Sequence, residues 1–122
     1  MCAGLASLQQ LRDGAIYQRL EQLGARLERA LLGVPHLALQ RAGSIFWLCA
    51  SRAGQPRPPM RALSAFPADA ARSYAGLFHA LLEQGIYLAP SGFEVGFLSA
   101  AHTESHVDAL AASVRAHLNA VT

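Results

Sequence analysis

The chain has 122 residues, of which 52 % are hydrophobic and 15 % are charged, so it has enough apolar material for the core of one domain. Its formal charge of +2 includes ten basic residues, all of them arginine and spread along the chain, and this gives nucleic-acid binding no support. The lack of lysine excludes a side-chain Schiff base with an aldehyde, because that reaction needs a primary amine.

The N-terminal quarter of the chain predicts two consecutive helices within residues 3–32. Leucines recur every few residues on one helical face, and the pair Asp13-Gly14 interrupts them, which predicts a break. Gly33 is placed to end the second helix, and Pro35 prevents its continuation. The charged residues lie mostly off the leucine stripe, as is typical of a solvated face.

The middle of the chain predicts a β-hairpin followed by a loop. Residues 36–50 first alternate, as HLALQ, and then form the apolar run SIFWLCA, which predicts two strands with a turn or bulge at Arg41-Ala42-Gly43. Residues 51–67 hold four of the six prolines and predict a loop. This loop contains three arginines, Arg52, Arg57 and Arg61. We interpret them as solvated, with a phosphate or substrate contact as the alternative.

The C-terminal half predicts two more helices with short strands between them. Asp69 is suited to cap or begin a helix over residues 69–84, which Gly85 ends. Residues 86–88 and 93–99 predict strands, and Thr103 is suited to cap a final helix that extends to residue 118. The order of elements predicts an α+β domain with a small, mainly antiparallel sheet of three or four strands and helices packed on one face.

The cysteines and the hydropathy pattern indicate a reducing, cytoplasmic setting. Cys2 and Cys49 share neither a metal-binding spacing nor a disulfide framework. The N-terminus lacks the pattern of a signal peptide, and no apolar run approaches the roughly 20 residues of a membrane helix. We therefore expect a cytoplasmic protein without a membrane or a nucleic acid as its partner.

No complete catalytic set is recognisable in the sequence. It lacks the nucleophile-elbow, zinc-protease, Walker and dinucleotide-binding motifs. His102 and His106 are four residues apart, but His102 precedes the predicted cap, so capping or surface roles are favoured over a metal pair. Ser91 lies near Glu94 in sequence without an obvious histidine partner. These residues do not predict a stand-alone enzyme.

Residues 85–108, GIYLAPSGFEVGFLSAAHTESHVD, carry the most specific pattern in the chain. The segment resembles the C-terminal part of the glutamate-1-semialdehyde 2,1-aminomutases, which belong to the class III aminotransferase group of pyridoxal-phosphate enzymes. The residues that match the pattern of that family are Gly85, Tyr87, Ala89, Pro90, Ser91, Phe93, Glu94, Phe97, Ser99, Ala101, His102 and Thr103. The segments AGLASLQQL, GSIF and FHALLEQG are similar to further parts of the family, and Val95 departs from its usual small residue.

The resemblance implies a single domain over residues 1–122, similar to the C-terminal small domain of fold-type I pyridoxal-phosphate enzymes. In that family a large upstream domain carries the cofactor lysine and the phosphate site. The family converts glutamate-1-semialdehyde to 5-aminolevulinate for tetrapyrrole biosynthesis. The resemblance therefore implies that this chain holds no cofactor and is inactive alone. The implied partners are the large cofactor-binding domain and a second copy of the chain, with self-association through the first helix.

Glu94 is the residue to which the resemblance gives a substrate-binding role. Many related aminotransferases present an arginine from this domain to a substrate carboxylate, whereas the aminomutases have a glutamate in this segment. A carboxylate there would lie beside the amino groups of the substrate. The alternative is an ordinary carboxylate that faces solvent on an edge strand.

Two other interpretations stay open. The chain could be the small domain of another class III aminotransferase, which an arginine in the Glu94 segment would have favoured. It could also be an autonomous interaction module that uses the fold without cofactor chemistry. The upstream reading frame distinguishes them, because only the aminomutase and aminotransferase interpretations require a domain with the cofactor lysine.

Overall fold

The computed structural model describes residues 2–120 and confirms the predicted α+β fold. The helices are α1 (Cys2–Leu11), α2 (Ala15–Leu31), α3 (Ala70–Glu83) and α4 (Glu104–Ala120), with a 3-10 turn at Leu63–Ala65. The strands are β1 (Leu37–Ala42), β2 (Ile45–Ala50) and β3 (Gly96–Phe97). They form one antiparallel sheet in the order β1-β2-β3. Met1, Val121 and Thr122 belong to the predicted domain but lie outside the described residues.

Helices α2, α3 and α4 pack on one face of the sheet, as predicted, whereas α1 buries no residue against it. Their apolar stripes meet Leu37, Phe46 and Leu48 of the strands in one continuous core. Leu27 of α2 and Leu77 of α3 are completely buried in it. Because each buried leucine contributes about 1.5–3 kcal/mol, this core is the main source of stability.

The proline-rich loop covers the opposite face of the sheet. Ala38, Trp47 and Cys49 point to that side and pack against Met60 of the loop. Phe66, near the end of the loop, tilts against Trp47 with 5.1 Å between the ring centroids. The segment predicted as a loop therefore encloses a second, smaller apolar cluster.

The helix ends follow the predicted glycines. The break at Asp13-Gly14 separates α1 from α2. After α3, the N–H of Gly85 donates to the carbonyl of Leu82, and the N–H of Ile86 donates to that of Leu81, both at 2.9 Å. This pair of bonds is a Schellman motif, and it needs the left-handed backbone that Gly85 adopts at φ 77°. Within residues 2–120, no helix combines the length and apolarity needed to cross a membrane.

Three predicted boundaries are wrong. The hairpin turn is Gly43-Ser44, because residues 41 and 42 still pair with β2. Residues 86–88 form no strand, since Ile86 and Leu88 pack against the core without joining the sheet. An apolar run alone does not distinguish these two arrangements. The strand predicted over 93–99 shrinks to Gly96–Phe97, because the residues before it form a turn.

The hairpin is fixed on α2 by a close backbone contact and by Arg41. A Cβ atom on Gly24 would lie 2.5 Å from the carbonyl oxygen of Gly43, so a side chain does not fit there. The guanidinium of Arg41 lies 2.9 Å from Glu21 and 3.1 Å from Glu28. It also donates to the carbonyl of Gly43 at 3.0 Å. One arginine thus connects the hairpin turn with two turns of α2.

Asp69 directly precedes α3, but its carboxylate connects the loop to the helix instead of capping the first turn. It accepts hydrogen bonds from the hydroxyls of Ser51 at 2.7 Å and Ser73 at 2.9 Å. It also accepts from the backbone N–H of Arg52 at 2.7 Å and of Ala53 at 3.2 Å. These bonds, first the one from Ser51, lower the pKa of Asp69 to about 2 against an opposing effect of desolvation.

We predict that Asp69→Asn lowers the free energy of unfolding at pH 7 by about 1–3 kcal/mol, because the amide places N–H groups where N–H and O–H donors converge. Since the pKa of Asp69 falls from 3.8 in the unfolded chain to about 2 in the folded one, its charge stabilises the fold above about pH 4. That contribution is lost as the pH falls towards 2. Urea unfolding at several pH values measures both effects.

The control for this experiment is Glu83→Gln, which removes an exposed carboxylate at the end of α3. It should change the unfolding free energy by less than about 0.5 kcal/mol. The difference between wild type and Asp69→Asn should shrink at acid pH. Equal stability of the two proteins at pH 7 would contradict the prediction.

Candidate functional site

Glu94 lies in a turn that precedes β3. The N–H of Glu94 donates to the carbonyl of Ser91 at 3.1 Å, and the N–H of Phe93 donates to the hydroxyl of Ser91 at 3.3 Å. Glu94 therefore lies outside the sheet, although the sequence predicted a strand over 93–99, because pairing with β2 starts only at Gly96. Glu94 is exposed at the surface.

Two buried aromatic side chains hold the main chain on the N-terminal side of Glu94. The indole N–H of Trp47 donates to the carbonyl of Gly92 at 2.8 Å, and the hydroxyl of Tyr74 donates to the carbonyl of Ala89 at 2.7 Å. A Cβ atom on Gly92 would lie 2.9 Å from the Tyr74 ring, so the turn is seated directly on it. Burial, and then the charge of Glu94, raise the pKa of Tyr74, which places the carboxylate within electrostatic reach of the phenol.

An apolar groove of about 490 Å³ lies beside this turn. We define the apolar groove by residues 85–89, residues 95–98 and the start of α4, which line it. Tyr87 and Phe97, two of the lining side chains, are 71 % and 63 % exposed. Glu94 lies at its border in sequence rather than in its lining. The groove can bury apolar surface of a partner and offers few polar groups.

His102 and His106 also line the groove; His106 has the capping role that the sequence favoured, whereas His102 binds within the turn before α4. Nδ1 of His102 accepts from the N–H of Ser99 at 2.9 Å, and Nδ1 of His106 accepts from the N–H of Thr103 at 3.1 Å. The hydroxyl of Thr103 in turn accepts from the N–H of His106 at 3.4 Å, which completes a reciprocal cap of α4. Within residues 2–120, no group of three or more side chains is arranged to hold a metal.

The three loop arginines are exposed, in agreement with the solvated interpretation. Arg52 lies near α3 and α4. A nitrogen of its guanidinium is 4.0 Å from the position that a Cβ atom on Gly76 would take. Burial, and then the charge of Arg52, lower the pKa of His117 on α4.

Comparison with known proteins shows which proteins the chain is similar to. No protein-family model matches the chain. It is 37 % identical over 124 residues to the glutamate-1-semialdehyde 2,1-aminomutase of Akkermansia muciniphila, which accounts for 98 % of this chain and 28 % of that protein. It is 41 % identical over 118 residues to the protein of the same name from Pelotomaculum thermopropionicum, over 93 % of this chain and 26 % of that one. The chain is a relative of the glutamate-1-semialdehyde 2,1-aminomutases.

This aminomutase relative spans about a quarter of the length of the curated proteins it matches, and the matched part is their C-terminal region. The solved structure of a "transaminase with PLP bound" superposes on it with a TM-score of 0.68 and 27 % identity. The superposition covers 97 % of this chain and 26 % of the transaminase. The family resemblance and the fold class predicted from the sequence are thereby confirmed.

The residues of this aminomutase relative do not fit covalent binding of pyridoxal phosphate. Pyridoxal phosphate forms its Schiff base with a lysine amine, and none of the 122 residues is lysine. The chain can therefore contribute to a pyridoxal-phosphate site only around the cofactor and not as its covalent anchor.

Sequence reasoning missed Trp47 and Tyr74 as residues of the candidate site. Both are visible as possible core residues, since Trp47 is the only tryptophan and Tyr74 lies on the apolar face of α3. Their acceptors are 45 and 15 residues away along the aminomutase-like chain. A single sequence carries no signal of such distant pairs.

Proposed function

We propose that this chain is the C-terminal small domain of a longer aminomutase that converts glutamate-1-semialdehyde to 5-aminolevulinate in the cytoplasm. The observation that carries the proposal is the similarity over 98 % of the chain to a protein of that name. When bound, pyridoxal phosphate supplies the amino-group chemistry of such an enzyme. Because this chain has no lysine, the domain that holds the cofactor must be a different part of the protein.

We infer that Glu94 faces the substrate in that enzyme. Its carboxylate is exposed, and the turn that carries it is held by the buried donors of Trp47 and Tyr74. A carboxylate accepts charge-assisted hydrogen bonds from ammonium groups, which suits a substrate that carries an amine. The names of the relatives favour this reading over another class III aminotransferase or an interaction module.

We further infer that the large domain covers the apolar groove. A contiguous exposed apolar surface is typical of an interaction site on a soluble protein. The groove presents Tyr87 and Phe97 to solvent and lies next to the Glu94 turn in sequence. A domain seated there would bring its own residues close to Glu94.

We predict that the isolated chain forms no covalent imine with pyridoxal phosphate through a side chain and does not convert glutamate-1-semialdehyde, because it has no lysine amine. Absorbance spectra after cofactor addition, borohydride reduction and peptide mapping test this. A reduced adduct on a side chain would contradict the prediction. Mapping separates that result from reaction at the terminal amine.

The proposed function itself is tested by expressing the gene of this chain together with its upstream reading frame as one longer protein. It should bind pyridoxal phosphate and convert glutamate-1-semialdehyde to 5-aminolevulinate. An upstream frame without a lysine-bearing cofactor domain would refute the aminomutase proposal and favour the interaction module.

In that longer protein we predict that Glu94→Gln lowers turnover by about 10- to 100-fold, the equivalent of one charge-assisted hydrogen bond. The fold should persist, because the amide keeps the shape of an exposed side chain. Steady-state kinetics and thermal unfolding measure the two effects. Glu83→Gln is the matched control and should leave turnover unchanged, whereas normal turnover in Glu94→Gln would refute the role of Glu94.

We predict that the isolated chain self-associates through α1. No residue of this helix is buried, and Leu5 and Leu8 are 60 % and 66 % exposed. Cys2–Leu11 carries no charged side chain, so two copies can meet without repulsion. Light scattering at several concentrations should give a mass that rises above 13.0 kDa towards that of a dimer.

Replacing both Leu5 and Leu8 by glutamine should shift this association to higher concentration by roughly ten-fold or more, since about 1–3 kcal/mol of apolar burial is lost for each leucine. Leu63→Gln is the control, because this leucine is 79 % exposed but lies in the loop on the other face of the sheet. A wild-type chain that stays monomeric at high concentration would show the association to be wrong.

A further inference from the structure

We propose that Trp47 and Tyr74 are positioning residues that hold the Glu94 turn in a fixed geometry and leave the carboxylate free for a ligand. This inference rests on the proposed substrate-facing role of Glu94. It assigns the positioning to two side chains that lie on different elements, β2 and α3, and that are 9 % and 5 % exposed.

The segment that carries Glu94 needs such anchors, because it has little regular structure of its own. Between the end of α3 and the start of β3, residues 84–95 contain neither helix nor strand. The turn is closed by the two bonds to Ser91, at 3.1 and 3.3 Å. A turn with so few local bonds has no preferred position relative to the core unless other elements fix it.

Trp47 fixes the turn from the sheet. It is the third residue of β2, whose six residues all pair with β1, so its backbone is held on the sheet. Its ring is tilted against Phe66 at 5.1 Å, and Phe66 is tilted against Phe93 of the turn at 5.4 Å. The turn is thus held by the indole bond to Gly92 and by a row of three aromatic rings.

Tyr74 fixes the turn from α3. Its hydroxyl donates to the carbonyl of Ala89 at 2.7 Å, and its ring lies 2.9 Å from the position that a Cβ atom on Gly92 would take. A phenol has a single proton to donate, and here that proton is used by Ala89. Tyr74 therefore fixes the backbone before Glu94 without donating to the carboxylate.

The charge of Glu94 is left available as a result. Within residues 2–120, the ion pairs of Arg26 and Arg41 involve Glu21, Glu28, Glu104 and Asp108, and Glu94 is not among these four carboxylates. The position of Glu94 is set through the main chain rather than through a salt bridge. An ammonium ligand would therefore meet a carboxylate that has no cation to displace.

Tyr74→Phe tests the first anchor, with Tyr87→Phe as the matched control. The first variant removes the hydroxyl bonded to Ala89, whereas Tyr87 is 71 % exposed and lies outside the turn. Amide hydrogen exchange in this chain should accelerate by about five-fold or more at Phe93 and Glu94 in Tyr74→Phe, the equivalent of about 1 kcal/mol of local stability. Exchange in α4 should stay unchanged, and Tyr87→Phe should match wild type.

Tyrosine titration followed by NMR tests whether Trp47 controls the position of the carboxylate. Glu94→Gln should lower the pKa of Tyr74 towards its usual value, since a nearby negative charge raises it. If Trp47 holds the turn, Trp47→Phe should also lower this pKa, because the carboxylate is then free to move away. The double variant should show less than the sum of the two single effects.

Several results would overturn the proposal. Unchanged exchange at Phe93 and Glu94 in Tyr74→Phe would show that the hydroxyl does not hold the turn, and equal acceleration in α4 would show a general role in stability. Additive effects of Trp47→Phe and Glu94→Gln on the titration would show that Trp47 does not position Glu94. These measurements need neither cofactor nor substrate, so they can fail while Glu94→Gln still lowers turnover in the longer protein, and the reverse.

Discussion

Strand β2 is buried on both faces, and the other two strands, the helices and the proline-rich loop are all arranged around it. Phe46 and Leu48 face the helices, while Trp47 and Cys49 face the proline-rich loop. Both β1 and β3 pair with this strand. A central strand that is buried on both faces consists of consecutive apolar residues, as in the segment SIFWLCA. The two apolar clusters of the domain are thus the two sides of one strand.

Burial of the aromatic residues also explains where the candidate site lies. Trp47 and Tyr74 each bring a donor into the interior, and an unsatisfied buried donor costs about 1–3 kcal/mol. Within residues 2–120, every fully buried polar side-chain atom has a partner. For these two donors the partners are the carbonyls of Gly92 and Ala89. The core therefore fixes the turn that carries Glu94 because it must satisfy its own polar groups.

The polar contacts of the domain follow the same logic at its edges. The carboxylate of Asp69 accepts hydrogen bonds from the loop that covers one face of the sheet, and Arg41 connects the hairpin turn to α2. The buried thiol of Cys49 lies near Asp69, and burial together with that charge raises its pKa to about 11. Cys49 is therefore an apolar core residue at neutral pH rather than a nucleophile. The apolar groove and Glu94, in contrast, lie at the surface of the domain.

The sequence by itself determined the elements whose signal is local. Leucine spacing predicted α2, Thr103 predicted the start of α4, Asp13-Gly14 predicted the break, and Gly85 predicted the end of α3. The segment 85–108 carried the family, and the lack of lysine excluded a covalent cofactor anchor. Each of these features depends on residue types at fixed short spacing, which a single sequence contains in full.

The tertiary structure alone decided the features that depend on distant partners. The turn that carries Glu94 is bound to the core by Trp47 and Tyr74, and these partners come from other elements. For the same reason the carboxylate of Asp69 binds the loop at 51–53 together with Ser73 of α3 and does not cap the first turn of the helix. An apolar or acidic residue has the same local pattern whether its partner is a neighbour or lies across the domain, so only the folded chain distinguishes the two.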